Sequence, residues 1–275
     1  MIDLKRKAND IRNMVFEMCL CSGGHLVSSF SCLDVLVSLY HGGILRVDPK
    51  NPNWRERDRF ILSKGHGETA LYAVLADMGF FPEELIRSSY RRGSCFLGGH
   101  PDKYIPGVEV TTGALGHGLG IACGLSLAAK MDDQKHIQFV LLGDSECTEG
   151  SVWEAAMFAS KHALDNVIAI VDRNRIGSID FTENFTTLEP FVDKWNAFGW
   201  DVHFCKGHDF DDITNAFHSA RTSASRKPQL VIAETIKGKG ISFVENNPAW
   251  HARSVSGDDE IQRAKQELKW REDGM

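Results

Sequence analysis

Two residues with oxygen-bearing side chains, Asp144 and Asn174, each follow closely after an apolar run that is typical of a buried strand. The runs are 136–142 and 166–172, and the residues between them, 149–162, have the apolar spacing of a helix. In a strand–helix–strand unit the two strands are parallel, so their carboxyl ends meet at one edge of the sheet, where ligands bind. Carboxylate and amide oxygens suit Mg²⁺, which takes further ligands from phosphate. The pair therefore predicts a divalent metal held over a diphosphate.

Each of these residues also has an ordinary structural interpretation. Asp144 could cap a helix and Asn174 could form a turn, which are frequent roles for these residue types. Their pairing at two strand ends around one helix favours the metal site over either alternative. A backbone carbonyl of the turn 174–177 could supply a third ligand.

Histidines are the other candidates for chemistry, because imidazole exchanges protons near neutral pH. Of the eleven in the chain, four lie in or beside glycine-rich or irregular segments and are expected to reach a site: His25, His66, His100 and His251. Six others are expected on the surface or in satisfied core positions: His41, His136, His162, His203, His208 and His218. For His117, at the start of a predicted helix, both interpretations stay open.

The elements that must position these residues follow one order, helices first and then alternating strands and helices. Helices are predicted at 3–20, from 31 or 32 to 41, and at 68–78, 116–130, 149–162, 209–221 and 257–275, the last of them polar and solvent-facing. Strands are predicted at 59–63, 136–142, 166–172, 201–205 and 229–235. The alternation predicts an α/β fold with a parallel sheet and helices on both faces, in one domain that spans 1–275.

The composition argues against several classes of protein. A net charge of −6 and an isoelectric point near 6.0 provide no basic field for nucleic acid. No apolar run approaches the roughly 18 residues of a membrane helix, and the N-terminus has no apolar signal core. The seven cysteines are odd in number and lack paired C-x-x-C spacing, which is typical of reduced thiols. We expect a soluble cytoplasmic protein that binds neither nucleic acid nor membrane.

Several motifs, in one order along the chain, resemble those of transketolases. The Gly-Asp-x segment 143–145 with Asn174 resembles the thiamine diphosphate motif, and the continuation 149–155 looks like transketolase in particular. Further matching motifs lie at 63–67, 99–102, 111–118, 237–240 and 250–251. The resemblance runs from about Ser22 to His251. It implies a thiamine diphosphate-binding fold, with Mg²⁺ (or Ca²⁺ or Mn²⁺ in its place) as the metal.

The resemblance also implies a role for each matching residue. The implied metal ligands are Asp144, Asn174 and the carbonyl of Ile176. The implied cofactor contacts are His66, Gly113, Leu115, Gly143, Asp144, Ser145, Glu149, Asn174, Lys237 and His251. Among these, Gly113 and Leu115 would meet the aminopyrimidine, and Glu149 would lie at a subunit interface that couples two active sites. The implied catalytic residues are His25, His66, His100 and His251; an imidazole suits removal of the sugar hydroxyl proton.

The chain departs from the family pattern at three places and in its length. Ser145 replaces the usual glycine, the glycines expected just after His25 are missing, and the segment 252–256 is unusual. Single-chain transketolases are more than twice as long, and this chain stops where their first domain ends. The resemblance therefore implies the N-terminal subunit of a split transketolase. Its partner would be a separately encoded C-terminal subunit that binds the pyrimidine ring, in an α2β2 assembly.

Such an enzyme transfers a two-carbon ketol unit from a ketose or ketose phosphate to an aldose. One alternative is the α-type subunit of another thiamine diphosphate enzyme, such as a 2-oxoacid dehydrogenase. The four loop histidines and the segment 237–240 argue against it, because oxoacid chemistry needs no cluster for sugar hydroxyls. Another alternative is a non-catalytic homologue that binds the cofactor. The sequence leaves open which sugars are donor and acceptor, and in which pathway.

Overall fold

The computed structural model describes residues 2–90 and 96–269 of the chain. The helices in these ranges are α1 (Leu4–Ser22), α2 (Leu26–Tyr40), α3 (Glu68–Met78), α4 (Glu84–Ser89), α5 (Gly118–Met131), α6 (Gly150–Lys161), α7 (Thr182–Phe185), α8 (Phe191–Ala197), α9 (Phe210–Thr222) and α10 (Asp258–Glu267). The strands are β1 (Arg59–Leu62), β2 (Gln138–Gly143), β3 (Val167–Arg173), β4 (Asp201–Lys206) and β5 (Gln229–Glu234). Short 3₁₀ turns occupy Gly65–Gly67, Ser145–Thr148 and Pro248–Trp250.

The five strands form one parallel sheet in the order β1-β2-β3-β5-β4. Leu141 of β2 lies opposite Leu62 of β1 on one side and Ile170 of β3 on the other. Strands β2 and β3 are buried at every position, which explains the near-continuous apolar runs in the sequence. The predicted α/β fold with a parallel sheet and helices on both faces is confirmed.

The central strand β3 alternates its side chains between two cores, one on each face of the sheet. Ile168 and Ile170 pack in the core that includes α1, α2, α3 and α9. Val167, Ala169 and Val171 pack in the core that includes α5, α6 and α8. Burial of each isoleucine or valine side chain contributes about 1.5–3 kcal/mol. Because both faces are covered, the strand ends at the carboxyl edge are held in place.

Helix α2 begins at Leu26, earlier than the predicted start at 31 or 32. Serines in its first turns obscure it in the sequence, because serine favours caps and turns over helix interiors. In the fold these serines are buried, and two of their hydroxyls have partners in other elements. Ser29 Oγ lies 2.6 Å from Thr69 Oγ1, and Ser31 Oγ donates to Asp172 Oδ1 at 2.7 Å. Tertiary hydrogen bonds therefore outweigh the local preference.

The C-terminal helix is shorter and less exposed than the prediction of 257–275. Helix α10 ends at Glu267, and Lys269 has a left-handed φ of 51°; 270–275 lie outside the described residues. Most residues of α10 are exposed or partly exposed, whereas Ala264 and the following Leu268 are buried in the core shared with α1. Helices α7 and α8 were not predicted, because such short segments show too little apolar periodicity to indicate a helix.

Across 2–90 and 96–269, no helix has both the length and the apolarity that crossing a membrane requires. Six cysteines in these ranges are free thiols: Cys19, Cys21, Cys32, Cys123, Cys147 and Cys205. Cys95 lies outside the described residues.

Candidate active site

A cavity of about 200 Å³ lies at the carboxyl edge of the sheet. Residues at or just after the ends of β1, β2 and β3, and from the loop after β5, supply most of its wall. The residues that line it are His25, Lys64, His66, Gly113, Leu115, Gly143, Asp144, Ser145, Glu146, Asn174, Ile176, Gly177, Ser178, Lys237 and His251. Every residue that the sequence predicted for the site is on this wall except His100 and Glu149.

Asp144 follows the last residue of β2 and is almost completely buried. Its Oδ1 accepts a hydrogen bond from the backbone N–H of Ser145 at 2.7 Å. Its Oδ2 accepts from the backbone N–H of Arg175 at 2.5 Å and from Arg173 Nη1 at 3.1 Å. Burial raises the pKa of the Asp144 carboxyl, and the Arg173 guanidinium opposes that rise. The carboxylate is thus fixed in orientation at the wall of the cavity.

Asn174 and Ile176 bring two further oxygen atoms to the same wall. The side-chain amide of Asn174 is oriented by its own nitrogen, which donates to Ser31 Oγ at 3.0 Å and to Asp172 Oδ2 at 3.2 Å. Its Oδ1 accepts from the backbone N–H of Ile176 at 3.0 Å. Together with Asp144 this is a set of hard oxygen donors with a single carboxylate. Such a set fits Mg²⁺ that completes its shell with phosphate and water.

In the described part of the chain, no group of three His, Cys, Asp or Glu side chains could hold a metal by itself. A metal at Asp144 would therefore depend on neutral oxygens and on an anionic ligand.

Two buried lysines line the cavity and differ in their pairing. Lys64 Nζ lies 2.5 Å from Asp172 Oδ2; burial would lower the pKa of Lys64, but the Asp172 carboxylate outweighs it and raises the pKa. Lys237 Nζ contacts the carbonyl of Ile176 at 3.0 Å and His251 Nδ1 at 2.8 Å. Within the described ranges it has no carboxylate within ion-pair distance. Burial, and then the charge of Lys64, lower the pKa of Lys237 to about 8.

Four histidines converge at the cavity although they come from distant parts of the chain. The ring centroid of His25 lies 5.6 Å from that of His66, 6.4 Å from His100 and 6.2 Å from His251. Burial, followed by the nearby positive groups, lowers the pKa of His25, of His66 still further, and of His251 to about 4. These three rings are therefore neutral at pH 7 and can accept hydrogen bonds or protons. Among the described residues, His25 Nδ1 is buried without a hydrogen-bond partner.

His100 is exposed at the mouth of the cavity rather than on its wall. It packs on Gly113, whose φ is +146°; a Cβ there would lie 2.9 Å from His100 Cδ2. Glycine is needed at this position for both reasons. Glu149 is exposed at the N-terminus of α6 and does not reach the cavity, so its place at a subunit interface stays a prediction. His117 is exposed at the start of α5 and also lies off the wall.

Ser145, in the place of the usual glycine, is accommodated without strain. It is not among the described residues with positive φ, so a side chain is tolerated in this backbone conformation. Ser145 lines the cavity, and its Oγ lies beside Gly177.

The sequence prediction missed four residues of the wall: Lys64, Glu146, Gly177 and Ser178. Glu146 is buried, and its carboxylate accepts from the backbone N–H of Gly116 at 2.8 Å, from that of Gly143 at 3.0 Å and from the Ser63 hydroxyl. It thereby joins the loops after β1 and β2 to the segment before α5. Burial raises the pKa of Glu146, and these donors oppose the rise. The one signal in the sequence was a charged residue two positions after Asp144 in a mostly uncharged segment.

Comparison with known proteins shows the family to which this chain belongs. A family model described as "Transketolase, thiamine diphosphate binding domain" matches residues 4–274. The 6-deoxy-6-sulfo-D-fructose transketolase subunit SqwG of Clostridium sp. (strain MSTE9) is 44% identical over 252 residues, covering 91% of this chain and 90% of that protein. A subunit of the apulose-4-phosphate transketolase of Actinobacillus succinogenes is 43% identical over 270 residues, covering 97% and 96%.

Solved transketolases share the fold over nearly the whole chain. The enzyme of Campylobacter jejuni superposes with a TM-score of 0.87 at 31% identity, covering 98% of this chain and 43% of that one. The enzyme of Leishmania mexicana superposes with a TM-score of 0.88 at 29% identity, covering 98% and 42%. This chain thus spans less than half of these transketolases but most of the relatives that are named as subunits. It corresponds to the N-terminal subunit of a two-component transketolase, as predicted, and the chain belongs to the transketolase family.

Proposed function

We propose that this chain binds thiamine diphosphate with Mg²⁺ and, with a C-terminal partner protein, transfers a two-carbon ketol unit from a ketose or ketose phosphate to an aldose. The observation that carries the proposal is the composition of one cavity wall. Oxygen donors for a metal, neutral histidines and a buried lysine that has no carboxylate partner among the described residues all face the same space of about 200 Å³. A polyanion with a metal would compensate the charge that burial leaves unpaired there.

Different residues would bind the metal and the diphosphate of the cofactor. Asp144, Asn174 and the carbonyl of Ile176 would hold the metal, and Lys237 would release that carbonyl and turn toward the diphosphate. His66 and His251 would donate to or accept from the diphosphate oxygens and the waters around it. When bound, thiamine diphosphate supplies the nucleophilic carbon that attacks the ketose carbonyl.

The histidines nearer the mouth would handle the protons of the sugar. Cleavage of the carbon–carbon bond requires a hydroxyl of the donor sugar to lose its proton. His25 is neutral at pH 7 because its pKa is lowered, and its Nδ1 has no partner among the described residues. His100 lies beside it at the mouth. We propose that His25 and His100 orient the sugar and that one of the two accepts this proton.

Exposed apolar side chains support a protein partner over the cavity. Ile179 is 74% exposed and Phe181 43% exposed on the loop that follows the predicted metal site. Met157 and Phe158 are exposed on α6, the helix that begins beside Glu149. We propose that these side chains contact the C-terminal subunit, or a second copy of this chain, in an α2β2 assembly.

The names of the two relatives contain 6-deoxy-6-sulfo-D-fructose and apulose-4-phosphate, and these names describe those proteins only. For this chain the proposal extends to a ketose or its phosphate as donor. The absence of paired C-x-x-C spacing supports reduced thiols, and on that basis we propose a cytoplasmic location.

The test is reconstitution with the partner encoded by a neighbouring reading frame. The mixture is supplied with thiamine diphosphate, Mg²⁺, a panel of ketose phosphates and an aldose acceptor, and ketol transfer is followed by product chromatography. We expect transfer by the mixture and none by this chain or its partner in isolation. Turnover by this chain in isolation would refute the split-enzyme proposal.

Two variants and one substrate separate the alternatives. Asp144→Ala and His100→Ala should each abolish ketol transfer by the mixture. Unchanged transfer would favour the alternative of a non-catalytic homologue that binds the cofactor. Oxidation of a 2-oxoacid with an artificial electron acceptor, in the absence of ketol transfer, would favour a 2-oxoacid dehydrogenase subunit instead.

A further inference from the structure

We infer that His208, oriented by Asp34 and Arg12, is a positioning residue that holds Lys237 in the cavity. His208 follows β4 and was expected to be an ordinary surface or core histidine. It does not line the cavity, and it acts through the backbone of the loop that carries Lys237. The inference rests on the proposed function, because it assigns Lys237 to the diphosphate.

Three hydrogen bonds link these residues in series. Arg12 Nη2 donates to Asp34 Oδ1 at 2.7 Å. His208 Nδ1 lies 2.8 Å from Asp34 Oδ2, and the backbone N–H of Ile236 donates to His208 Nε2 at 2.8 Å. Because a backbone N–H can only donate, Nε2 must be the acceptor and Nδ1 must carry the proton that Asp34 accepts. The carboxylate therefore selects the one imidazole tautomer that can bind the Ile236 N–H.

The bonded amide is that of the residue immediately before Lys237. Strand β5 ends at Glu234, so the N–H of Ile236 lies beyond the hydrogen-bonded ladder of the described strands. On the other side of Lys237, the N–H of Gly238 donates to the carbonyl of Val27 at 3.0 Å. The backbone is thus held on both sides of Lys237, and the carbonyl of Lys237 accepts from the backbone N–H of Asn246 at 3.0 Å.

Lys237 needs this support because no carboxylate of the described residues lies within ion-pair distance of its ammonium group. Its ammonium group contacts carbonyl oxygens and His251, and it shares the cavity with the cation Lys64. Without a diphosphate, repulsion and the attraction of water would favour a loop conformation that turns the ammonium outward. The bond from Ile236 to His208 opposes that movement from outside the cavity.

The three supporting residues come from separate elements, which argues that the arrangement is built for this loop. Arg12 lies on α1, Asp34 on α2, and His208 in the loop after β4. Arg12 and Asp34 are both buried. The loop itself is fitted to Arg12: Gly240 has a φ of +109°, and a Cβ there would lie 3.0 Å from Arg12 Cδ.

The experiment is a double-mutant cycle on the full chain, with inorganic pyrophosphate and Mg²⁺ as the probe and titration calorimetry as the measurement. Lys237→Met is expected to weaken pyrophosphate binding by about 10–100-fold. His208→Ala should weaken it by about tenfold in the wild-type background and by less than about twofold in the Lys237→Met background. His208→Gln should restore binding to within about threefold, because an amide can both donate to Asp34 and accept from Ile236.

If His208 had a purely structural role, the fold-decreases in pyrophosphate affinity caused by His208→Ala and Lys237→Met would multiply in the double variant. That result would overturn the inference. So would tight binding by His208→Ala, or a glutamine variant as weak as the alanine variant. His203→Ala is the matched control, because His203 is also partly buried near β5 and bonds Gln229 at 2.8 Å, away from Lys237; it should bind normally.

If His208→Ala does not fold, Asp34→Asn provides a second cycle without truncating a side chain. It should weaken pyrophosphate binding several-fold, again only when Lys237 is present. Failure of the wild-type chain to bind pyrophosphate would overturn the proposed function, and this inference with it. Binding by the wild type with multiplying losses would overturn the inference alone.

Discussion

Replacing Lys237 by methionine is expected to make the ligand-free chain more stable, although it removes a residue of the proposed site. Lys237 is 4% exposed, and its pKa falls from 10.5 to about 8. At about 1.4 kcal/mol per pKa unit, keeping the ammonium charged in the folded chain at pH 7 costs about 3 kcal/mol. Methionine has a similar length and no charge. It loses the hydrogen bonds to Ile176 and His251, each contributing about 1 kcal/mol. The net gain at pH 7 is therefore about 1–2 kcal/mol.

The gain must depend on pH with a definite sign. Between about pH 8 and pH 10.5 the lysine is protonated in the unfolded chain and neutral in the folded chain. The unfolded state then binds more protons, so the stability of the wild type rises with pH across this window. Below pH 8 both states are protonated and the whole cost is present. The advantage of the methionine variant is thus largest at pH 7, and at pH 10 the cost of the charge falls below about 1 kcal/mol.

Urea unfolding at pH 7 and pH 10, followed by circular dichroism, measures both quantities. Lys239→Met is the matched control on the same loop, because Lys239 is partly exposed and lies 3.5 Å from Glu245; its effect should be within about 0.5 kcal/mol at both pH values. A Lys237→Met variant that is less stable than the wild type at pH 7, or whose gain does not shrink at pH 10, would refute the reasoning.

Three further changes test other parts of the site. Asp144→Asn should lower the affinity for thiamine diphosphate in the presence of Mg²⁺ by more than about tenfold, because the one carboxylate of the donor set is lost; titration calorimetry with and without Mg²⁺ measures this, and an unchanged dependence on Mg²⁺ would contradict it. Glu146→Gln should lower the free energy of unfolding by about 2 kcal/mol, because the amide nitrogen cannot accept from a buried backbone N–H; Glu154→Gln, exposed on α6, is the control in urea unfolding. Gly118→Ala should destabilise the chain by about 1–3 kcal/mol, because its Cβ would collide with the side chain of Ser63, whereas Gly120→Ala, with open space at the same helix, should stabilise it by up to about 1 kcal/mol. Equal effects of the two alanines on the urea midpoint would contradict the close packing at position 118.

Much of the fold was readable from the sequence because its signals are local. Strands β2 and β3 are buried on both faces, so they are apolar at almost every position, and a contiguous segment reveals this. The start of α2 was misplaced for the opposite reason. Its serines find partners such as Thr69 and Asp172 far along the chain, and no local pattern contains those partners.

The pattern of residues along the chain predicted a parallel sheet, the sequence of helices and strands, the family and most residues of the cavity wall, because motif residues lie next to strand ends and those ends meet at one edge. The charge states of these residues and the hydrogen bonds that hold them depend on the three-dimensional fold. Lys64 and Asp172 are 108 positions apart and form a buried pair, while Lys237 is left without a carboxylate partner among the described residues and its pKa falls. No sequence pattern distinguishes His208 from the other histidines, since its proposed role depends on a hydrogen bond from the backbone N–H of Ile236. Charge, burial and hydrogen bonding are properties of the space around a residue, and that space is filled by segments that are distant in the chain.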